Sequence, residues 1–207
     1  MAETLDELWK ECEAYGRWEP DYYDRMVHPI PDADVVEREK WILEQCLDKT
    51  VLHFGCNGLL HKGIEDAAKE AWGVDKDEGD ASHFIKLDLD SPDWDLPDKD
   101  WEIIICGEVL EHLSNPGLFL DKLRAIAHCP VVFTAPNAFT SIGEQYIKSK
   151  PPKENVNVDH VAYYSYHTLR NLLIRHGFTP TEFHWCCCWQ TVTNKPLTSE
   201  GLAFVAE

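Results

Sequence analysis

Residues 50–75 read TVLHFGCNGLLHKGIEDAAKEAWGVD, and the rest of the predicted fold is built around them. The apolar residues at 51–54 predict a buried strand, a glycine-bearing turn follows at 55–58, and a helix then leads to a second strand that ends at Asp75. A glycine turn between a strand and a helix lets a ligand approach the backbone closely. An acid about 20 residues beyond such a turn can accept ribose hydroxyls. The stretch therefore predicts a nucleoside-cofactor site.

Strand and helix patterns alternate through the rest of the chain and end in a hairpin. The predicted elements are strands at 83–89, 101–106, 130–134, 181–190 and 202–206, and helices that begin at Asn115 and Ser165. The run at 101–106 is apolar throughout, which is typical of a strand buried on both faces of a parallel sheet. This order predicts an α/β sandwich with a mostly parallel sheet and a reversed last strand.

Residues 1–48 are predicted to form a helical cap or extension before a domain at 49–207. Helical spacing of apolar residues indicates one helix near the start and a second over 32–47. The connector between them either covers one side of the core or forms part of a lid, since aromatic groups with polar tips suit a small-molecule pocket. The lid residues in that second interpretation are Trp18, Tyr22, Tyr23 and His28.

The composition excludes some functions. With a formal charge of −18, the chain has 19 basic residues against 37 acids, which makes a long nucleic-acid partner unlikely. Small neutral or cationic substrates, or a basic protein partner, fit more easily. No apolar run reaches membrane-span length, and the start lacks a secretory pattern, so we expect a cytoplasmic protein. The eight cysteines form no C-x-x-C pair and are expected to be reduced and structural.

Taken in order, these segments resemble the class I S-adenosylmethionine-dependent methyltransferases, specifically the small-molecule group that includes ubiquinone O-methyltransferases. The similarity covers residues 38–190 and is carried by VLHFGCNG, GVD, KLDLD, IIICGEVLEHLSNPGLFLDKL, APN and DHVAYYSYHTLRNLLIRHGF. The resemblance implies a Rossmann-like methyltransferase sandwich. Its sheet would have seven strands, mostly parallel, with an antiparallel C-terminal hairpin and helices on both faces.

The resemblance also implies which residues contact S-adenosylmethionine and its product S-adenosylhomocysteine. The glycine turn would lie against the methionine and ribose part, and Asp75 would accept both ribose hydroxyls. Asp88 would meet the adenine edge together with the Leu89 backbone, and residues 106–108 would border the sulfonium. The implied cofactor residues are His53, Gly55, Cys56, Asn57, Gly58, Asp75, Asp88, Leu89, Cys106, Gly107 and Glu108.

Two positions depart from the family pattern. His53 stands where the family usually has an acid, and Asn57 stands where a glycine is common. Asn tolerates left-handed backbone angles better than most residues, so the turn remains feasible. The cationic end of the cofactor would lose a carboxylate partner at His53. These departures motivate an alternative, a non-catalytic cofactor-binding or scaffold protein with a methyltransferase fold.

Methyl transfer to a hydroxyl needs alignment of the acceptor with the methyl group and removal of a proton. A histidine with a near-neutral pKa is the usual base. His160, which follows a long polar segment, and His112, which follows the strand at 101–106, are the two candidates. On this interpretation the enzyme O-methylates a small molecule or sugar, through an acceptor pocket built from residues 1–48 and 138–160.

A metal-dependent alternative uses overlapping residues. The E-x-x-E-H pattern together with a later histidine resembles the metal-binding set of small-RNA 2′-O-methyltransferases, in which a divalent ion holds the acceptor hydroxyls. Carboxylate and imidazole ligands suit Mg²⁺, Mn²⁺ or Zn²⁺, and such an ion would lower the pKa of a bound hydroxyl. The candidate ligands are Glu108, Glu111, His112 and His160. A metal-dependent 2′-O-methyltransferase of RNA is therefore the third functional hypothesis.

Overall fold

The computed structural model describes residues 30–56, 58–139, 157–187, 195 and 199–207. The chain divides into two units, Met1–Pro31 and Asp32–Glu207. The second unit carries the sheet that is described below. None of the helices within the described residues is both long enough and apolar enough to cross a membrane.

The elements of the second unit alternate between strands and helices before a final pair of strands. In chain order they are β1 (Val35–Val36), α1 (Arg38–Cys46), β2 (Thr50–Phe54), α2 (Leu59–Ala67), β3 (Glu70–Asp75), β4 (Phe84–Lys86), β5 (Ile103–Gly107), a 3₁₀ turn (Leu110–His112), α3 (Pro116–Ile126), β6 (Val131–Pro136), α4 (Tyr166–Arg175), β7 (Pro180–Cys186) and β8 (Gly201–Ala206).

One sheet joins all of these strands, in the order β1-β7-β8-β6-β5-β2-β3-β4. Only the pairs that involve β8 are antiparallel. The mostly parallel sheet and the antiparallel C-terminal pair of strands are therefore confirmed. The sheet has an eighth strand because β1 pairs parallel with the end of β7, where Val35 lies opposite Trp185.

Side chains of the central strands alternate between two apolar layers. On one face, Val51 and Ile103 pack with Ile42 of α1 and Ile64 of α2 in a single buried cluster. On the other face, the ring of Phe54 makes an edge contact with Phe119 of α3 at 5.4 Å between centroids. All five residues of β2 are buried, as expected for a strand covered by helices on both sides.

The N-terminal part of this unit differs from the prediction. Instead of one helix over 32–47, β1 precedes a helix that begins at Arg38, where the Glu37 carboxylate caps the first backbone N–H groups. Trp41 and Ile42 of α1 are buried in the sheet core. The compact unit that contains the sheet begins at Asp32, and α1 supplies part of its core.

Candidate active site

Three neighbouring parallel strands end together at one edge of the sheet. Phe54 of β2 lies opposite Val74 of β3 on one side and Cys106 of β5 on the other. The next residues along each strand are Gly55, Asp75 and Gly107. Ligands of open α/β sheets bind outside the carboxyl ends of such strands. The predicted cofactor residues of these three strands are therefore brought to one edge.

The turn after β2 requires glycine at its first position. Gly55 has a φ of +74°, and a Cβ atom there would lie 2.8 Å from Cγ2 of Val109. Its N–H donates to the carbonyl of Val74 at 2.9 Å, which fixes the turn on the end of β3. Gly58 has a φ of +125°, and no atom of the described residues lies within 4 Å of an added Cβ. The start of α2 thus faces open space. Asn57 lies outside the described residues.

His53 and Cys56 are both buried. The Nδ1 atom of His53 lies 3.1 Å from Nδ1 of His61 on α2, and these residues are only 2% and 3% exposed. Burial, and secondly the charge of His61, lower the pKa of His53 to about 3, so its ring is neutral. Burial and then the Asp75 charge raise the pKa of the Cys56 thiol to about 12. At the position of the family acid, the chain therefore holds an uncharged histidine pair.

The predicted ribose and adenine acids lie at the ends of adjacent strands. Asp75 closes β3 and is half-buried, and its carboxylate accepts the N–H of Asp77 at 3.1 Å. Asp88 follows β4, is exposed and accepts the N–H of Asp90 at 3.0 Å. Leu89 between them is buried. The contact of Asp88 and Leu89 with the adenine stays a prediction.

Asp90 organises the same edge, although it was not among the predicted residues. Its carboxylate accepts the N–H groups of Ser114 and Asn115 at 3.1 and 3.0 Å. Asn115 in turn caps α3 by accepting the N–H of Leu118 at 3.1 Å. The loop after β4 is thereby tied to the start of α3. The acidic pattern DLDSPD in the sequence could have indicated such a turn.

The end of β5 carries a strained residue. Glu108 has a φ of +55°, which is uncommon for a residue with a side chain, and its N–H is held by the carbonyl of Thr134 at 3.0 Å. Oε2 of Glu108 pairs with Nη1 of Arg38 at 3.1 Å. Cys106 before it is fully buried, and burial raises its thiol pKa well above the usual value. The carboxylate of Glu108 therefore lies at the edge of the sheet, whereas the thiol of Cys106 is buried in the core.

Three of the four predicted metal ligands lie together next to Glu108. The candidate ligand atoms of Glu111, His112 and His160 are all within 4.8 Å of one another. Glu111 is 1% exposed, and neither carboxylate oxygen has a hydrogen-bond partner among the described residues. Burial, and next the charge of Glu108, raise the pKa of Glu111 to about 8, while Arg38 opposes this shift. We call Glu111, His112 and His160 the site cluster.

Backbone and side-chain bonds hold His160 against the turn that carries Glu111. The N–H of Val161 donates to the carbonyl of Glu111 at 2.8 Å. The hydroxyl of Tyr164 donates to the carbonyl of Leu110 at 3.2 Å, and this tyrosine is itself buried. Glu111 and His160 are about 50 positions apart in the chain, and hydrogen bonds of their neighbouring residues hold them together.

The two imidazole rings of the site cluster lie close together beside Glu111. Nδ1 of His112 lies 3.2 Å from the carbonyl oxygen of Asp159, which only accepts, so Nδ1 is the donor of this hydrogen bond. The ring of His160 meets it edge-on at 4.7 Å between centroids. Burial, and secondly the proximity of His112, lower the pKa of His160.

The site cluster fits a divalent cation. It offers two imidazoles and a buried carboxylate without a hydrogen-bond partner in the described part of the chain, and a bound cation would offset the cost of burying that charge. Glu108, the fourth predicted ligand, lies beside Glu111 but is paired with Arg38.

Arg38 was missed because nothing in its local pattern connects it to residues 70 positions later. The predicted lid over 18–28, and residues 140–156 of the predicted acceptor region, lie outside the described residues.

Comparisons with known proteins bear on the family and the fold. A family model described as a methyltransferase domain matches residues 20–182. No curated protein sequence matches the chain. A solved S-adenosylmethionine-dependent methyltransferase from Clostridium acetobutylicum is similar at a TM-score of 0.61 and 11% identity, with 97% of this chain and 98% of that chain covered.

Two further solved structures have named functions of their own. The magnesium protoporphyrin IX methyltransferase of Synechocystis PCC 6803, with bound S-adenosylhomocysteine, gives a TM-score of 0.55 at 16% identity and covers 81% of this chain and 78% of that chain. The small RNA methyltransferase HEN1 gives a TM-score of 0.63 at 16% identity and covers 87% of this chain. Only 26% of the HEN1 chain is covered, so the present chain spans about a quarter of that protein.

Proposed function

The chain belongs to the methyltransferase domain family, and from that membership we propose that it transfers the methyl group of S-adenosylmethionine to a hydroxyl of a sugar or similar small molecule, with a divalent cation held by the site cluster. The resemblance to ubiquinone O-methyltransferases stays a finer prediction within this proposal. S-adenosylmethionine-dependent methyltransferases among the structural neighbours support the cofactor.

One observation carries the proposal for the acceptor side. Glu111 is buried beside the imidazole rings of His112 and His160, and its carboxylate has no hydrogen-bond partner among the described residues. A buried carboxylate without a partner is costly unless it meets a cation or a donor from a ligand. The 3₁₀ turn with Glu111 begins three residues after β5, and the predicted cofactor turn follows the neighbouring strand β2. Cation and cofactor would therefore bind at the same sheet edge.

The residues of this edge divide the work. The turn at Gly55 and the carboxylate of Asp75 would bind and orient the cofactor, which satisfies the alignment that displacement at a methyl group requires. Glu111, His112 and His160 would hold the cation, which supplies a Lewis acid that lowers the pKa of a bound hydroxyl. His160 would otherwise be available to accept the hydroxyl proton, because its lowered pKa leaves the ring neutral.

Cofactor binding is tested by calorimetry with S-adenosylhomocysteine. We expect Asp75→Asn to weaken binding about 10-fold, because an amide is a poorer acceptor for two ribose hydroxyls than a carboxylate. Asp77→Asn is the matched control, since it removes the same charge two residues further on and Asp77 contributes only its backbone N–H to Asp75. Absence of any cofactor binding to the unaltered chain would sink the methyltransferase proposal.

Methyl transfer is tested with labelled S-adenosylmethionine and a panel of sugars and polyols, with and without a chelator. We expect labelled product that chelation and Glu111→Ala both abolish. Glu78→Ala is the control, because the Glu78 side chain is 91% exposed on the surface. Product formation that is unaffected by chelation and by Glu111→Ala would eliminate the cation and leave His160 or His112 as the base. Cofactor binding without transfer to any acceptor would favour the scaffold alternative.

A ribose of RNA is the second candidate acceptor. The similarity to a small RNA methyltransferase and the motif Glu108-x-x-Glu111-His112 with His160 favour it, whereas the net charge of −18 opposes it. Two adjacent hydroxyls occur only on the 3′-terminal ribose of an RNA strand. The test compares a short RNA with the same RNA that ends in a 2′-deoxynucleotide. Labelling of the first alone assigns the acceptor, and labelling of neither removes RNA from consideration.

A further inference from the structure

We propose that Arg38 couples cation binding to an oxyanion group on the acceptor, by exchanging its ion pair with Glu108 for one with that group. The inference rests on the proposed function, because it concerns the cation of the site cluster. It adds a specificity-determining residue and a chemical class: a hydroxyl acceptor that also carries a phosphate or carboxylate.

The placement of Arg38 is the first observation. It is the first residue of α1, and its Nη1 lies 3.1 Å from Oε2 of Glu108. The two side chains are 24% and 29% exposed, so the pair is partly shielded from water but still reachable by a ligand. The chain has 37 acids and only 19 basic residues, and α1 places one of these few cationic groups beside an acid of the site. A guanidinium binds phosphate and carboxylate with two parallel hydrogen bonds.

The second observation is that the two carboxylate oxygens of Glu108 differ. Oε1 is buried and has no hydrogen-bond partner among the described residues, whereas Oε2 meets Arg38. The left-handed backbone at Glu108 is held by Thr134 and directs this side chain to a position where its charge acts on Glu111. Glu108 is therefore a carboxylate next to the site cluster whose availability depends on Arg38.

Charge links cation binding in the site cluster to anion binding at Arg38. Arg38 pairs with Glu108 at 3.1 Å, so its positive charge already compensates the acid that lies beside the site cluster. A divalent cation that enters the site cluster is then repelled by Arg38 and lacks the full charge of Glu108. An acceptor oxyanion that binds Arg38 removes both penalties at once. Because coupling is reciprocal, the cation also strengthens binding of the anionic acceptor.

The experiment measures Mn²⁺ affinity of the full chain by electron paramagnetic resonance, in the presence of S-adenosylhomocysteine. Ribose, ribose 5-phosphate and inorganic phosphate are the probes, and free Mn²⁺ is held constant across them. We expect ribose 5-phosphate to tighten Mn²⁺ binding about 10-fold relative to ribose, a typical coupling between linked sites. Glucuronate against glucose repeats the comparison with a carboxylate.

Arg38→Met is the decisive variant. We expect it to bind Mn²⁺ more tightly than the unaltered chain without any anion, and to show no difference between ribose and ribose 5-phosphate. Arg38→Lys retains the charge but not the paired donors, so its coupling should be reduced but not lost. This variant also shows whether substitution at this position impairs folding. Arg170→Met, at an exposed position of α4, is the matched control and should behave as the unaltered chain.

The outcomes separate this inference from the proposed function. Mn²⁺ binding with equal affinity in ribose and ribose 5-phosphate overturns the role of Arg38 and leaves the proposed function standing. Persistence of the coupling in Arg38→Met also overturns it. An equal effect of inorganic phosphate assigns the anion to free phosphate and overturns the assignment to the acceptor. Absence of Mn²⁺ binding overturns both proposals.

Discussion

Two histidine pairs lie near the same sheet edge and differ in almost every physical respect. His53 and His61 join β2 to α2 inside the core, with 3.1 Å between their Nδ1 atoms. His112 and His160 join the turn after β5 to the segment before α4, with an exposed ring and a half-buried ring that meet edge-on. We call the first the buried pair and the second the site pair.

The surroundings, not the residue type, decide what each pair can do. The buried pair forms a hydrogen bond within itself, and burial keeps His53 neutral, so it ties β2 to α2. The site pair lies beside Glu111, whose carboxylate has no hydrogen-bond partner in the described part of the chain, and His112 holds its Nδ1 proton on the Asp159 carbonyl. Only the site pair combines accessible ring nitrogens with a buried acid beside them, which is the arrangement that cation binding or proton transfer requires.

The largest expected effect comes from His160→Ala in the site pair. We expect methyl transfer to fall about 100-fold or more, because a cation ligand or a base is lost. S-adenosylhomocysteine affinity and the melting temperature should change little. His128→Ala is the control, since this exposed residue precedes β6 and therefore lies at the opposite end of the sheet. A rate that stays within a few-fold of the unaltered chain would contradict the assignment of the site pair.

The buried pair should instead control stability in acid. His53 has a pKa of about 3 in the folded chain against an ordinary value of 6.5, so the unfolded chain binds a proton that the folded chain cannot. Stability is then lost as the pH falls below 6.5, by about 1.4 kcal/mol per pH unit, or about 2 kcal/mol by pH 5.

Urea unfolding of the unaltered chain and of His53→Leu at several pH values checks this effect. His53→Leu removes the titrating group, so its stability should depend less steeply on pH between about 6.5 and 5. The slope is the relevant quantity, because the substitution also changes packing at every pH. Identical slopes for the two chains would show that protonation of His53 does not limit acid stability.

The site pair should bind its cation in competition with protons on Glu111. The pKa of Glu111 is raised to about 8, so its proton must leave when a cation binds. Mn²⁺ affinity should rise about 10-fold per pH unit up to about pH 8 and then level off. Without a cation, Glu111 has the opposite effect on folding. The free energy of unfolding falls as the pH rises from 4.5, the ordinary pKa of the carboxyl group, to about 8. Mn²⁺ titrations and urea unfolding at matched pH values test both directions, and a flat Mn²⁺ profile would refute the competition.

The smallest expected effect concerns the contact that positions the site pair. Tyr164→Phe removes the hydrogen bond to the Leu110 carbonyl and leaves the ring in place, at a cost of about 1 kcal/mol in unfolding free energy. We expect a decrease of a few-fold in methyl transfer, because the segment with His160 is held less firmly. Tyr166→Phe on α4, which packs on Phe183 and Phe204, is the comparison. Equal loss of activity in both variants would mean that the effect is not local to the site pair.

Local signals predicted much of the fold correctly. The cap residues Asn115 and Ser165 start α3 and α4 as expected, because their side chains accept backbone N–H groups of the first turn. The apolar run at 101–106 forms β5 in the centre of the sheet, although the strand begins at Ile103 and ends at Gly107. By contrast, Val35–Val36 was predicted as helix, and it became a strand because β7 offers backbone hydrogen bonds to it, including the N–H of Cys187 to the carbonyl of Val36.

For the site, the motif Glu108-x-x-Glu111-His112 indicated which residues to consider but not their different states. A 3₁₀ turn at Leu110–His112 buries Glu111 and leaves His112 exposed, which the letters of the motif do not specify. The partners of these residues, Arg38 and His160, come from distant parts of the chain. His61 follows His53 by only eight residues, yet the hydrogen bond between their rings forms only because α2 packs on β2.

The sequence by itself determined the order of strands and helices from β2 onwards, the glycine turn after β2 and the chemical types of the site residues, because periodicity, caps and turn chemistry act over a few neighbouring positions. The tertiary structure alone decided that one histidine pair is buried and the other is paired with a buried acid, and that Arg38 meets Glu108. Burial and charge proximity depend on contacts between residues that are far apart in the chain, and these set the protonation of each group.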